Sequence, residues 1–127
     1  MKKVLVALLL LVPALAWADK PAPNPADYTI NVHVQSSRLI TQCSDVTGGS
    51  SVCYQGQQLE VLIDGKKLEL QGAFARGKSA PGVMRVGEYK AKVVKEDTSR
   101  AYEYTRTYEF IFPDGKTLQY EVIGETE

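Results

Sequence analysis

The feature that most constrains the fold is a pair of alternating runs on either side of Asp64-Gly65. Apolar side chains occupy every second position in residues 59–63, and the same period returns in residues 66–70. A period of two is typical of a half-buried β-strand, and an Asp-Gly pair accepts the positive φ angles of a tight hairpin turn. The sequence therefore predicts a β-hairpin at this point.

Four further runs have the period of a strand, at residues 28–35, 88–93, 102–112 and 117–123. Nothing after the first 18 residues has the apolar spacing of a helix over three turns. Strands that follow one another through hairpins pair antiparallel, and strands with one apolar face must close on themselves or fold over. We therefore predict an all-β fold of about six antiparallel strands, joined mainly by hairpins, as a small barrel or sandwich.

A glycine-rich stretch, residues 72–87, is predicted to be a long loop. It holds four glycines and one proline, and Arg76 and Lys78 lie within it. A short strand at residues 83–86 is an alternative for its end. Because long irregular loops in small domains often carry function, Arg76 and Lys78 are candidate binding residues.

The first 18 residues predict a cleaved secretory signal. A basic start, Met-Lys-Lys, precedes an uncharged run of 15 residues, and Ala16 and Ala18 stand three positions and one position before the expected cut. Signal peptidase cleaves this layout, whereas a membrane-spanning helix needs roughly 20 apolar residues. We therefore expect cleavage between Ala18 and Asp19, no membrane span after cleavage, and a periplasmic or extracellular location.

Cleavage would leave a proline-rich spacer at residues 19–27, a β domain at residues 28–124 and a polar tail at residues 125–127. Loss of the two signal lysines leaves 13 basic residues against 15 acidic ones. Contacts to phosphate need a basic excess, so no nucleic-acid partner is expected. The expected partner is an unknown protein or a small ligand of the cell envelope, and a monomer is favoured.

Cys43 and Cys53 are the only two cysteines, and the loop between them is rich in glycine and serine. In an oxidising compartment this pair predicts a disulfide. Catalytic dithiols usually sit two residues apart at the start of a helix, and structural zinc needs four ligands. We therefore expect a stapled loop, no metal and no cofactor. Asp45 lies inside this loop and is a candidate binding residue.

The even positions of residues 102–112 form an aromatic row interrupted by one arginine, and their candidate binding residues are Tyr102, Tyr104, Arg106 and Tyr108. In one interpretation, Arg106 lies where the sheet meets water and packs its stem on tyrosine rings, or a bulge turns it outward. In the other, the row lines a cleft in which Arg106 holds an anionic or sugar-like ligand.

The sequence contains no arrangement that predicts catalysis. His33 is the only histidine, and alternation places it on the polar face of its strand. Glu103, Glu109 and Glu121 are expected on the solvated face of the sheet, where acidic residues are common. We therefore expect a non-catalytic binding or interaction module of the envelope. The alternatives are a small secreted hydrolase or inhibitor-like effector, and a purely structural envelope component.

Residues 108–117, Tyr-Glu-Phe-Ile-Phe-Pro-Asp-Gly-Lys-Thr, together with residues 86–92, Val-Gly-Glu-Tyr-Lys-Ala-Lys, resemble small exported bacterial β-rich proteins that have no assigned function. The likeness covers residues 28–124, and its motifs are strand and turn patterns. The resemblance implies the same β-rich fold and brings no active-site residues with it.

Overall fold

A computed structural model describes residues 22–127 of the protein. The predicted signal, its cleavage site at Ala18 and Asp19, and the start of the predicted spacer lie outside the described residues. The described end of the spacer contains one 3-10 turn, Pro25–Asp27, and the side chain of Asn24 caps it by accepting a hydrogen bond from the Ala26 N–H at 3.1 Å. Within residues 22–127, no helix is long and apolar enough to cross a membrane.

Six antiparallel strands form one sheet. They are β1 (Ile30–Val46), β2 (Ser50–Ile63), β3 (Lys66–Ala75), β4 (Gly87–Asp97), β5 (Thr105–Ile111) and β6 (Thr117–Thr126). Every strand pairs with two neighbours, so that the sheet closes as a ring in the order β1-β2-β3-β6-β5-β4. The predicted all-β, antiparallel fold is confirmed. Four of the five connections join neighbouring strands, and only the one from β3 to β4 crosses an end of the ring.

The predicted hairpin around Asp64-Gly65 joins β2 to β3. Asp64 has φ 53° and Gly65 has φ 76°, and the flanking residues Ile63 and Lys66 pair directly. Positive φ at both central positions is the geometry that matches the twist of a two-residue hairpin. Asp64-Gly65 therefore sets the register between β2 and β3.

Alternating apolar side chains fill the interior of the ring. Val32 and Val34 point inward from β1, and Leu59, Val61 and Ile63 point inward from β2, as the period of two predicts. The remaining buried apolar side chains of this core are Leu68, Leu70, Met84, Ala91, Tyr108, Phe110 and Tyr120. Burial of each large side chain stabilises the fold by roughly 1.5–3 kcal/mol.

Several predicted bounds were wrong. The strand predicted at residues 28–35 is β1 and runs on to Val46, β4 ends at Asp97 rather than at residue 93, and β3 continues to Ala75, so the predicted loop at residues 72–87 begins only after it.

One predicted strand starts too early and another does not form. The predicted strand at residues 102–112 begins only at Thr105, because the chain turns after β4, where the Asp97 carboxylate accepts the Ser99 N–H at 3.0 Å. The alternative strand at residues 83–86 does not form. The Met84 N–H donates instead to the Ser37 hydroxyl oxygen at 3.0 Å, and the Met84 side chain packs in the core of the ring.

The hairpin of β1 and β2 extends past the other strands. Pairing of β1 with β4 ends at Val34 and Gly87, and pairing of β2 with β3 ends at Gln55 and Ala75. Beyond these points β1 and β2 pair mainly with each other. We call this two-stranded ribbon, residues 38–55, the arm.

The predicted disulfide lies within the arm. Cys43 and Cys53 are directly opposite each other in the register, with Cα atoms 4.0 Å apart, and their sulfur atoms are bonded. Every residue from Thr41 to Ser51 is exposed. The disulfide therefore staples a solvated ribbon rather than the core of the ring.

Candidate functional site

The outer face of the arm carries an apolar stripe. Directly opposite residues of an antiparallel pair share a face, and Ile40 pairs with Gly56 while Tyr54 pairs with Gln42. These even-numbered positions lie on the face opposite the disulfide. Val52 belongs to the same face.

The stripe is completed from β3 and from the loop after it. A Cβ atom at Gly56 would lie 2.5 Å from the ring of Phe74, so glycine at this position leaves room for that ring to lie across β2. The Arg76 guanidinium stands over the Tyr54 ring, with 5.7 Å between its Cζ and the ring centroid. A cation over an aromatic face is attracted by the ring quadrupole. We call this surface the arm face, and it consists of Arg38, Ile40, Val52, Tyr54, Phe74 and Arg76.

Four basic side chains, two on the arm face and two in the connection from β3 to β4, have no acidic partners. Arg38, Arg76, Lys78 and Arg85 are exposed, and none of them forms an ion pair with any residue between 22 and 127. Arg38 is fixed instead by a hydrogen bond from its Nε to the Gln58 side-chain oxygen at 2.9 Å. Four basic side chains of this region therefore have no acidic partner, although residues 22–127 together contain 12 basic and 14 acidic residues.

The free edge of β1 is the second feature of this region. Residues 38–46 pair with β2 on one side, and among the described residues no strand pairs with their other side. A strand edge presents a row of unpaired N–H and C=O groups that can accept another strand. Arg38 lies at the start of this edge.

The structure separates the three candidate residues of the two loops. Arg76 lies on the arm face, and Lys78 is exposed in the 3-10 turn Gly77–Ser79, two residues further along the loop. Asp45 pairs with Ser51 near the tip of the arm, on the same face as the disulfide and opposite the arm face. Arg76 and Lys78 therefore belong together, and Asp45 does not join them.

A polar cleft lies at the other end of the ring, between the β4–β5 connection and the end of β6. Its volume is about 610 Å³. Tyr102, Tyr104 and Arg106 line it, so the structure brings together three of the four residues of the predicted row. Tyr108, the fourth, is only 2% exposed and belongs to the core. The other lining residues are Lys66, Thr98, Arg100, Ala101, Glu103, Val122, Ile123, Gly124 and Glu125.

Arg106 lies where the aromatic row leaves the core. Its Nε donates to Glu96, and its Nη1 donates to the Tyr108 hydroxyl oxygen at 3.2 Å. Its Cζ is 5.0 Å from the centroid of the Tyr104 ring, and the side chain keeps 27% of its surface exposed. Arg106 thus packs on tyrosine rings at the water boundary, as the first interpretation predicts, and it also lines the cleft. Ligand binding by Arg106 stays a prediction.

A second polar cluster, around Glu125, also lines the cleft. Lys66 Nζ contacts Glu125 Oε1 at 2.5 Å, and the Tyr104 hydroxyl donates to the same oxygen at 3.1 Å. Burial and the hydrogen bond to Glu125 raise the pKa of Tyr104, while the hydrogen bond from Lys66 lowers the pKa of Glu125. Both groups therefore keep the protonation states that hold the cluster together at neutral pH.

Three of the four residues considered for catalysis have ordinary structural partners, and the fourth, Glu121, is exposed on β6. His33 is exposed, and its Nδ1 lies 2.6 Å from Glu88 Oε1. Glu109 accepts a hydrogen bond from the Tyr28 hydroxyl at 2.5 Å, and Glu103 pairs with Arg100. In the part of the chain that the structure describes, no three His, Cys, Asp or Glu side chains are grouped so that they could hold a metal ion.

Sequence reasoning missed the partners that build both surfaces. Lys66 and Glu125 are in contact because β3 pairs with β6. These strands are distant in the chain, so no local pattern predicts the contact. Phe74 lies against Gly56 next to a register irregularity between β2 and β3, which a local pattern does not show. The local signal available for the arm face was weak, since only Val52 and Tyr54 stand two positions apart in one run.

Comparison with known proteins adds no assignment. No family model matches the chain, no curated protein matches it in sequence, and no solved structure matches its fold.

Proposed function

We propose that this protein is exported and acts as a non-catalytic binding module of the bacterial cell envelope. Its partner-binding surface would be the arm face together with the free edge of β1. The six-stranded ring, which we take to be a small barrel, would act as the rigid base that presents this surface. The single observation that carries the proposal is the nine-residue free edge at residues 38–46 beside four basic side chains without acidic partners.

Free strand edges are usually protected in proteins that do not use them. Proline, inward-pointing charges, bulges or a covering loop block the pairing of another strand. Residues 38–46 contain no proline, and the bulge of β1 lies before them, between Val34 and Ser36. The edge is therefore available for a partner that adds as a further strand, with main-chain hydrogen bonds for affinity and side-chain pockets for specificity.

Charge favours an acidic partner over a second copy of this chain. A second copy paired through the same edge would bring only one carboxylate from its arm, that of Asp45, to the four basic side chains, so most of these charges would stay unpaired. An extended segment with acidic side chains would instead place carboxylates beside Arg38 and Arg85, and its apolar side chains could pack on Ile40. We therefore propose an extended acidic segment of another envelope protein as the partner.

Site-specific crosslinking in cells tests the proposal. A photo-crosslinking side chain at Gln42, on the free edge of β1, should capture a protein partner when the chain is exported by its own signal. The matched control is the same side chain at Glu121, which is exposed on β6. Capture should be lost in Arg76→Glu/Lys78→Glu, and it should persist in Lys95→Glu/Lys116→Glu, which changes the same charge elsewhere on the surface. Equal capture by both reversed variants would contradict the proposal.

The same cells distinguish the other proposals. An intact mass that begins at Asp19 and is two hydrogens short of the reduced chain would support export and cleavage. His33→Ala and Glu103→Gln remove the groups on which a small hydrolase or inhibitor-like effector would depend. If they abolish a cellular phenotype while Arg76→Glu/Lys78→Glu does not, the enzyme alternative replaces the binding module. A purely structural component would tolerate all three changes.

A further inference from the structure

We infer that the cleft lined by Tyr102, Tyr104 and Arg106 is a second binding site, and that its ligand is an uncharged saccharide. The inference is independent of the arm face, because the two surfaces lie at opposite ends of the ring. The cleft has a volume of about 610 Å³, which is in the range of small-molecule sites.

Tyr102 supplies an aromatic platform. Its side chain is 83% exposed, whereas Tyr28, Tyr108 and Tyr120 are at most 3% exposed. A tyrosine with this exposure keeps a large ring in contact with water, although aromatic rings gain most from burial. The ring lies on the rim of a cleft, so a ligand with an apolar C–H face, such as the face of a pyranose, would cover it.

The charges of the cleft disfavour an ionic ligand. Its three basic side chains each pair with a carboxylate: Lys66 with Glu125, Arg100 with Glu103, and Arg106 with Glu96. An anionic ligand would have to replace one of these carboxylates or lie beside it, and a cationic ligand would meet the basic groups in the same way. Like-charge contacts of this kind act against binding. Of the two ligand classes that the aromatic row predicted, the structure favours the sugar-like one.

The same ion pairs hold polar atoms ready for sugar hydroxyl groups. A guanidinium has five N–H donors, and Arg106 uses those at Nε and Nη1 for Glu96 and Tyr108, so others of its fork can serve a ligand. Carboxylate oxygens accept more than one hydrogen bond, which leaves capacity on Glu125 as well. A hydroxyl group both donates and accepts, so it fits alternating donors and acceptors. Side chains already fixed in place lose less entropy on binding.

Titration followed by amide NMR tests the inference on the mature protein. The probes are neutral oligosaccharides of glucose, galactose, mannose and N-acetylglucosamine, each compared with glucuronic acid as an anionic probe. We expect a neutral probe to shift amides in residues 98–106 and 122–125. We also expect its affinity to change less than twofold between 50 and 500 mM salt, because screening by salt acts on charge–charge attraction.

Two matched variants decide whether the tyrosine platform carries the binding. Tyr102→Ala should weaken the affinity at least fivefold, and it should leave the fold intact because the side chain is exposed. Leu118→Ala, which removes an exposed apolar side chain of β6 outside the cleft and the arm face, should leave the affinity unchanged. The inference is overturned if no neutral probe shifts the cleft amides, if only glucuronic acid does, or if Tyr102→Ala binds as well as the natural chain. None of these results bears on crosslinking at the arm, so failure here and failure of the proposed function are separable.

Discussion

The buried Tyr120 hydroxyl donates a hydrogen bond to Oε1 of Gln57, 63 positions earlier in the chain. Gln57 is the buried polar side chain of the described core, with 6% of its surface exposed, and its Nε2 donates to the Gly82 carbonyl oxygen at 2.5 Å. One amide therefore ties β2 to β6 and to the loop that crosses the end of the ring. Buried polar groups are tolerated when their hydrogen bonds are made.

This relationship predicts a strongly coupled pair of substitutions. Tyr120→Phe leaves Gln57 Oε1 without its partner, and we expect it to lower the free energy of unfolding by about 1–2 kcal/mol. Gln57→Leu should lower the free energy of unfolding more, because it leaves the Tyr120 hydroxyl unpaired in the interior and also removes the hydrogen bond to the Gly82 carbonyl. Chemical denaturation of both variants measures these losses.

The double variant provides the critical comparison. Once Tyr120→Phe has removed the hydroxyl, Gln57→Leu no longer leaves it unpaired. The loss in free energy of unfolding should therefore be smaller in the double variant than the sum of the losses in the two single variants. A shortfall of at least 0.5 kcal/mol is expected for residues in contact. Simple additivity would show that the two side chains are not coupled.

Gly72 is expected to be intolerant of any side chain. A Cβ atom there would collide with the Gln119 carbonyl oxygen and the Tyr120 ring, where β3 pairs with β6. The carbonyl belongs to a paired strand and cannot move aside, so Gly72→Ala should destabilise by about 1–3 kcal/mol. Thermal denaturation measures the loss. The control is Gly82→Ala, where nothing lies within 4 Å of the added Cβ, and a comparable loss in both variants would contradict the explanation.

The core residues of the ring were predictable because the signal is local. Val32 and Phe110 each lie in an alternating run, and the period alone assigns them to the interior. Asp64-Gly65 likewise fixes its turn through the φ angles of two adjacent residues. Side-chain alternation and turn chemistry depend on neighbours in sequence, so one sequence is enough to read them.

The cleft was predictable only in part. The aromatic row identified Tyr104 and Arg106, but their partners Glu125 and Glu96 come from other strands. The order in which the ring closes decides those contacts, and it depends on pairing between distant strands. Buried Gln57 illustrates the same limit, because its hydrogen-bonding partners in the core become known only when β6 and the crossing loop are placed.

Stability should depend on pH through Tyr28 and Glu109. The hydrogen bond to Glu109, with burial adding to it, raises the pKa of Tyr28 to about 12. Below pH 10 both the folded and the unfolded chain keep this proton, so the stabilisation is fully present. Between about pH 10 and 12 the unfolded chain loses the proton first, and the free energy of unfolding falls. Tyr28→Phe should reduce this fall, as denaturation across the range would show.

Glu109, the carboxylate of this pair, affects the free energy of unfolding at acidic pH. The hydrogen bond from Tyr28 lowers the pKa of Glu109, so its stabilisation is present above the ordinary carboxyl range and is lost as the pH drops through the folded-state pKa. Tyr28→Phe should therefore also flatten the acid limb. Tyr102→Phe, at an exposed tyrosine, is the control. Identical pH profiles for the natural chain and Tyr28→Phe would count against the coupling.

Removal of the Cys43–Cys53 disulfide is expected to release the arm while the ring stays folded. Simple loop closure would assign roughly 3 kcal/mol to a disulfide of this span. That value assumes that the reduced native state keeps the same structure. Here the stapled segment is an exposed two-stranded ribbon, which is marginally stable alone. When the arm frays, the conformational entropy of the native state rises. Cys43→Ser/Cys53→Ser should therefore lower the free energy of unfolding of the ring by less than the full loop-closure value.

Hydrogen exchange locates the effect. Amides in residues 39–54 should exchange much faster in the double serine variant, while those of buried Val32 and Leu59 should keep their protection because the ring interior contains no arm side chain from residues 41–51. The same variant should lose crosslinking through Gln42, since a frayed arm no longer presents an ordered edge. Faster exchange throughout the ring would mean instead that the disulfide supports the whole fold, and the arm could not be treated as an appended binding element.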